Sequence, residues 1–524
     1  MKRLALLYPF LFVVLPILNI LSRNPGGSTL ADGGSLMLFM VTLWAVLYGV
    51  VAFALRQHRS RAIAPLIILA LIVWFYAYPA VRSAFHGSRK SPAELALVVV
   101  AVGGLALATA AVIGWLARRP RHLPRVNTFL AMTGLFLVAF AGVRVVTSQL
   151  RARAQVRASA LARELGAPVG VKASAPVEPI RDIYLIVLDE YASASVLRER
   201  FNFDNQPFTD SLRSLGFIVP GLVRSNYAHT TLSLPSLLNF SHLSRLETEI
   251  GAGGTDPTLP NYLLRNNRTA KFLKANGYKF VFYPSQWWGA TSHSDDADSA
   301  FQAWEGFDLG REATRSDMRR AFIGTTPLAL LQSHDRHDAD HVKRTLAALE
   351  ELPSVKQPTF AFAHILSPHY PYVFDAACKP HRTRPNPNWG RGRDEVYLGQ
   401  LQCLNRLLLR TVGNILERSP TPPVILLAGD HGTSSLRYAQ ATSAESVTPA
   451  QARERFGAFG AFYLPGGAER LFPDTLTLIS VIPRVLNHYF GAGVQLPPES
   501  LYMSLERTPY RFAPVDPASL STTQ

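Results

Sequence analysis

Long apolar stretches dominate the first part of the chain; beyond them the pattern changes to short apolar runs that end in acids and imidazoles. Residues 4–22 (LALLYPFLFVVLPILNILS), 35–55, 63–81, 95–116 and 128–147 are each nearly free of charge. Each is long enough for a helix to cross a hydrocarbon core, which takes about 20 residues. The pattern predicts five transmembrane helices. A cleaved signal peptide is the alternative for the first, but no small-residue cleavage site follows it, and Pro16 and Asn19 suit a polytopic span.

The short loops set the orientation. Lys2 and Arg3, Arg56, Arg59 and Arg61 after the second span, and Arg118, Arg119, Arg121 and Arg125 after the fourth all fall on one side, whereas the first opposite loop offers little beyond Arg23. By the positive-inside rule that side is cytoplasmic, and Arg82, Arg89 and Lys90 weaken the contrast without reversing it. With five spans, everything after Gln149 lies outside the cytoplasm, as in a multi-pass protein of a bacterial-type inner or plasma membrane. The basic, Ala-rich stretch 148–165 has helical spacing and suits an interfacial helix on anionic headgroups or a solvated linker helix. Pro168 to Pro179, rich in Pro, Ala and Val, reads as a linker. The expected division is therefore a transmembrane domain at 1–147, a connecting segment at 148–180 and a globular domain at 181–524.

From Arg181 the periodicity is that of an α/β domain. "RDIYLIVLDEYAS", "TFAFAHILSPHYPY" and "PPVILLAGDHGT" are continuous apolar runs ending in polar clusters, with helix-like stretches such as Asn261–Asn276 and Glu395–Glu417 between them. Unbroken apolar strands alternating with helices predict a mainly parallel sheet covered on both faces, whose ligands gather at the carboxyl ends of the strands. The net charge of +16 does not change this reading. Its arginines cluster at membrane edges without a recognisable stacking module, so phospholipid headgroups, not nucleic acid, are the acidic partner.

The strand ends carry the candidate chemistry. Asp189 with Glu190, and Asp430 with His431 between Gly429 and Gly432, offer the oxygen and nitrogen donors that suit a divalent cation such as zinc or manganese. Each pair alone fits a salt-linked turn as well. Between the first two strands, "SNYAHTTLSLPSLLNF" is crowded with hydroxyls, and Thr230, Thr231 and Ser233 are candidates for a nucleophile activated by that cation. A helix N-cap is the structural alternative for such a hydroxyl. A nucleophile at a helix N-terminus would also meet dipole and N–H groups that favour a phosphorylated intermediate.

On these residues, 181 to about 500 resembles the alkaline phosphatase/sulfatase superfamily. The apolar N-terminal region followed by a globular domain resembles lipoteichoic acid synthases and lipid A phosphoethanolamine transferases. The resemblance implies a metal held by Asp189, with Glu190 as a further acid, and by Asp430 and His431. It implies a Thr230 nucleophile, five residues before Pro235 in Thr-x-x-Ser-x-Pro. In "HILSPHYPY", His369 matches a histidine facing the substrate phosphate or a second metal, although Tyr370 stands where glycine is expected; His364 is a second candidate facing substrate, or a core histidine. Phe462–Gly466 resembles C-terminal text of the same group, and His488 farther on reads as packing. The sulfatase modification pattern Cys/Ser-x-Pro-x-Arg is met by Ser233-Leu234-Pro235-Ser236 but broken by Leu237. The implied activity is transfer of a phospho-alcohol headgroup from a phospholipid donor to an envelope glycan or lipid acceptor. Hydrolysis with water as acceptor, and a catalytically silent binding protein, stay open. Trp287, Trp288, Tyr370 and Arg455 are candidates to line the cleft. Cys378 and Cys403, both in the expected external domain, suit a disulfide in an oxidising compartment.

Overall fold

The structure is a computed structural model that describes residues 7–24, 30–56, 61–86, 92–169, 179–285, 291–301, 317–328, 334–381, 390–468 and 470–520. It divides into two compact units, 1–154 with 307–332, and 155–306 with 333–524.

In the first unit the apolar runs are helical: Pro9–Arg23 (α1), Leu30–Ala54 (α2), Ala64–His86 (α3), Pro92–Ala117 (α4) and Leu123–Ala158 (α5). Among the described residues four are long and apolar enough to cross a membrane, at Gly33–Ala54, Ala64–Phe85, Ala93–Ala117 and Leu123–Ala158. α1, at 15 residues, is shorter than the roughly 20 that a span requires, so four of the five expected spans are found by length and composition. It instead buries Val13, Ile17 and Leu21, spaced four apart on one face, in a cluster with Leu36, Met40, Trp44, Ile68 and Ile72.

A short helix from much later in the chain, Asp317–Gly324, belongs to the same cluster through Met318, Phe322 and Ile323. The ring of Phe322 lies edge-on to Tyr76 at 5.8 Å, and Arg319 Nη2 donates to Ser35 Oγ at 2.7 Å. The sequence reading assigned all of 181–524 to one domain; 307–332 groups with the N-terminal helices instead. The basic stretch after residue 147 also differs from the expected separate element. α5 continues unbroken to Ala158, and Ser159 then caps a second short helix, Ala160–Gly166, by accepting from Ala162 N–H. Of the expected linker, residues 170–178 lie outside the described residues.

The second unit is built on a six-stranded sheet. Its strands in chain order are Ile183–Leu188 (β1), Lys279–Tyr283 (β2), Ser299–Ala300 (β3), Thr359–Ile365 (β4), Val424–Gly429 (β5) and Gly460–Tyr463 (β6). Their spatial order is β3-β2-β4-β1-β5-β6, parallel except for the antiparallel edge strand β6. Every residue of β1, β4 and β5 is buried, which is why these strands read as unbroken apolar runs. Ile183, Leu185 and Val187 face Leu234, Leu237 and Leu238 of the helix Thr230–Asn239 (α6). On the opposite face, Tyr184, Ile186 and Leu188 share a core with Leu346 of His334–Leu349 (α7) and with Leu401, Leu404 and Leu408 of Arg391–Arg418 (α8). The register sets the site: Leu188 pairs with Ile365 on one side and Gly429 on the other, so the residues that follow all three strands emerge together.

Candidate functional site

The carboxyl end of β1 carries Asp189 and Glu190, both buried. Glu190 adopts a left-handed backbone (φ 60°), costly for a non-glycine residue. Its N–H donates to Asp430 Oδ1 at 3.0 Å and its carbonyl accepts from Tyr397 O–H at 2.9 Å, so the turn is fixed by the neighbouring strand end and by α8. Asp430 and His431 follow β5. A Cβ at Gly432 would collide with the carbonyl oxygens of Glu454 and Gly457, so only glycine admits the helix Pro449–Phe456 (α9) this close.

Thr230 is the first residue of α6, and His229 occupies the N-cap position. The Thr230 hydroxyl is therefore free of the capping role open to it from sequence. It lies 3.0 Å from His431 Nε2. Ser233, which the sulfatase modification pattern would make the reacting residue, is buried and donates its hydroxyl to Asp430 O at 2.6 Å.

Asp189, His364 and Asp430 each offer a ligand atom within 4.8 Å of the others, in a buried group suited to a metal ion. His364 Nε2 is 3.6 Å from Asp189 Oδ2, with Nδ1 hydrogen-bonded to Thr291 Oγ1 at 2.9 Å. His431 Nδ1 lies 3.0 Å from Gly432 O, which can only accept, so Nδ1 carries the proton and Nε2 keeps a lone pair. That lone pair meets Asp430 Oδ2 at 3.2 Å and Asp189 Oδ1 at 3.9 Å. Acceptors crowd one another here, and Asp189 Oδ1 and Glu190 Oε2 are buried without a hydrogen-bond donor among the described residues. Three buried carboxylates, Asp189, Glu190 and Asp430, face one buried guanidinium, Arg455, leaving two negative charges to be matched. These are the donor set and charge that a divalent cation satisfies.

The electrostatics agree. Burial and the neighbouring Asp189 push the Asp430 carboxyl well above the ordinary carboxylate range. Burial and Arg455 hold the His431 imidazole well below its usual value, so it stays neutral. For Asp189, burial acts upward but is outweighed by His369 and by its contact with His364, which keep it ionised.

Glu190 and His369 stand slightly apart from the Asp189–His364–Asp430 group. The Glu190 carboxylate accepts from Ser434 O–H at 3.2 Å and lies 3.6 Å from Arg455 Nη1 and 3.9 Å from His369 Nε2. His369 is partly exposed; its N–H donates to Asp189 O at 3.1 Å, pinning its loop to β1. The loop is held from α8 by buried Gln400, whose amide donates to the carbonyls of Pro368, His369 and Pro371 and accepts from Val373 N–H. One turn on, Cys403 is disulfide-bonded to Cys378. Trp287 and Trp288 lie outside the described residues.

A family model described as sulfatase matches residues 181–469, more than half of the chain. The chain belongs to the sulfatase family. Within that family the site is an enzyme's, built at the ends of parallel strands, with apolar helices fit for membrane anchoring in the same chain. Among curated proteins nothing matches the chain. Similar solved structures include the C-terminal periplasmic domain of EptC from Escherichia coli, at 13% identity and TM-score 0.44, covering 67% of this chain and 95% of that one. The same domain of the phosphoethanolamine transferase EptC from Campylobacter jejuni is 12% identical (TM-score 0.37; 59% and 89% covered). A 2-O glycosaminoglycan sulfatase is 13% identical (TM-score 0.38; 61% and 72% covered).

Arg455 was named from sequence only as a possible cleft residue, and Gln400, Thr291 and Glu454 were not singled out. They come from helices and loops remote in sequence from the strand-end motifs. A Thr-Pro-x-Gln start marks the helix that carries Glu454 and Arg455, but nothing in that pattern says what the helix packs against.

Proposed function

We propose that the protein is a membrane-bound, metal-dependent transferase with its catalytic domain outside the cytoplasm and five membrane spans, counting α1. It moves a phospho-alcohol headgroup from a phospholipid donor to an envelope glycan or lipid acceptor through a covalent intermediate on Thr230. The observation that carries this reading is the Thr230 hydroxyl 3.0 Å from His431 Nε2, with the alternative hydroxyl Ser233 occupied at Asp430 O. A reacting serine or cysteine of the sulfatase type has no arginine partner here, since Leu237 stands in its place.

Asp189, Asp430 and His431, with His364 and Glu190 beside them, would hold zinc or manganese, which when bound lowers the pKa of a nearby hydroxyl and offsets charge on phosphate oxygens. Thr230 Oγ, its proton already released to solvent, attacks the donor phosphorus as the oxyanion, the lipid P–O bond breaks, and the departing alkoxide takes a proton from His369. The N-terminus of α6 favours the negative charge that Thr230 then carries. An acceptor hydroxyl attacks the same phosphorus, returns a proton to His369, and frees Thr230.

The test uses full-length protein in proteoliposomes with phosphatidylethanolamine or phosphatidylglycerol labelled at phosphorus. Wild-type protein retains label after denaturation and Thr230→Ala does not; label retained on the variant overturns the assignment.

A further inference from the structure

The chemistry above leaves Arg455 unused, although its guanidinium lies within 3.6 Å of Glu190 and 3.1 Å of His431. It lies in the last turn of α9, 6% exposed. Its Nε donates to Ala228 O at 2.6 Å, two residues before Thr230, and its Nη1 donates to Gly432 O at 2.8 Å, one residue after His431. The guanidinium lies over the Tyr438 ring, 5.0 Å from its centroid. These contacts fix the plane of the fork. The adjacent Glu454 ties the same helix to the loop after Gly432, accepting from Thr433 O–H at 2.7 Å and from the N–H groups of Ser435 and Leu436 at 2.7 and 2.8 Å.

What remains is Nη2, which lies 3.1 Å from His431 Nε2. That nitrogen has a single lone pair, and Thr230 Oγ1 is also 3.0 Å from it. A lone pair given to a cation cannot also accept an N–H. Nη2 is held in place by bonds that do not involve His431, so the N–H it offers to that nitrogen would then be left for another acceptor beside Thr230, whose hydroxyl lies against the same nitrogen. A guanidinium edge is matched by the oxygens of a phosphoryl group, which it can bind through parallel charge-assisted hydrogen bonds.

We propose that Arg455 is an anion-binding residue whose Nη2 exchanges His431 for the non-bridging oxygens of a phosphoryl group at Thr230, making tight anion binding conditional on prior cation binding. The inference rests on the reading of Thr230 as the phosphoryl carrier. It adds an order to the site: cation first, anion second, with the coupling carried by one guanidinium.

Equilibrium binding tests it without turnover. Full-length protein in detergent, stripped with chelator, is titrated calorimetrically with Mn2+ alone and then, Mn2+-loaded, with inorganic phosphate. In Arg455→Gln, Mn2+ binding stays equal or becomes tighter, because a competing donor and a positive charge are gone. Phosphate binding to the loaded protein weakens about ten- to hundredfold, the worth of one or two charge-assisted hydrogen bonds. Arg455→Lys, which keeps the charge without the fork, gives an intermediate loss and serves by the same criteria where the glutamine variant does not fold. Thr230→Ala keeps both binding steps while losing covalent label, which separates this inference from the transferase reading. Unchanged phosphate affinity in both Arg455 variants overturns the proposal. So does Mn2+ affinity that falls in parallel with phosphate affinity, or a wild-type protein that binds phosphate as well without Mn2+ as with it.

Discussion

Asp182 shows what burial does to a single carboxylate away from the site. It precedes β1 at the end opposite Asp189, accepts from Thr359 N–H at 2.7 Å, and is pushed up to about 6 by burial, which outweighs that hydrogen bond. An acid whose folded-state pKa exceeds its ordinary value binds more protons folded than unfolded, so the fold loses stability as pH rises from about 4 through 6. Asp182→Asn keeps an oxygen for Thr359 and removes the charge. The expected outcome is a variant more stable than wild type by about 1–3 kcal/mol at pH 7.5, with the gain shrinking to near zero by pH 4, read from thermal melts across that range. Residues at the other end of the strand were legible in sequence because their types announce chemistry: Asp189, Asp430 and His431 stop apolar runs, and Thr230 opens one. Arg455 was legible only as a residue that could line the cleft, because an arginine at a helix end is ordinarily a solvated charge, and only the tertiary fold shows this one buried between two loops.

Elements explain why the site keeps its shape. α8 is long because it does two tasks on one face: it closes the sheet's apolar side with Leu401, Leu404 and Leu408, and it presents Gln400 and Cys403 to the loop that carries His369. The disulfide closes a 25-residue separation and on loop entropy is worth roughly 3 kcal/mol. Gln400 is wholly buried, so Gln400→Leu, of similar volume, would strand three carbonyls and the N–H groups of Val373 and Phe374 in an apolar setting at about 1–3 kcal/mol for each group left unpaired. The loop would reorganise sooner than accept that cost. Expected are faster amide exchange at Val373 and Phe374 and a marked loss of transfer activity, with Mn2+ binding kept because Asp189, Asp430 and His431 are held elsewhere. Exchange at wild-type rates would show the loop to be self-supporting. The parallel sheet was legible because β1, β4 and β5 are buried on both sides and so carry no alternation. The two-residue edge strand β3 and the antiparallel β6 were not, because such short pieces are strands only through their neighbours.

At the scale of the molecule, compactness and chain order disagree. Residues 307–332 come from the middle of the second unit's sequence yet group with the N-terminal helices, and the helix Asp317–Gly324 buries Met318, Phe322 and Ile323 against residues of α1, α2 and α3. Eight residues with two arginines and one acid gave no sequence signal of this, since the apolar face is only three side chains wide. Phe322 is wholly buried, with Met318 and Ile323 nearly so. Covering each side chain of this kind is worth about 1.5–3 kcal/mol, so together they hold the excursion firmly within the first unit. A chain cut to 155–524 removes the cover and leaves those three side chains exposed as one patch, the kind of surface that drives association. The truncated protein is therefore expected to self-associate on size exclusion without detergent. Excising 307–332 from it, with Gly306 joined to Ser333 through a short Gly/Ser linker, should restore a monodisperse species that still binds Mn2+, because none of the proposed ligands lies in the excised segment. Monodisperse behaviour of the uncorrected truncation would mean that the three side chains find cover elsewhere, and that the excursion is not bound to the helices by its apolar face.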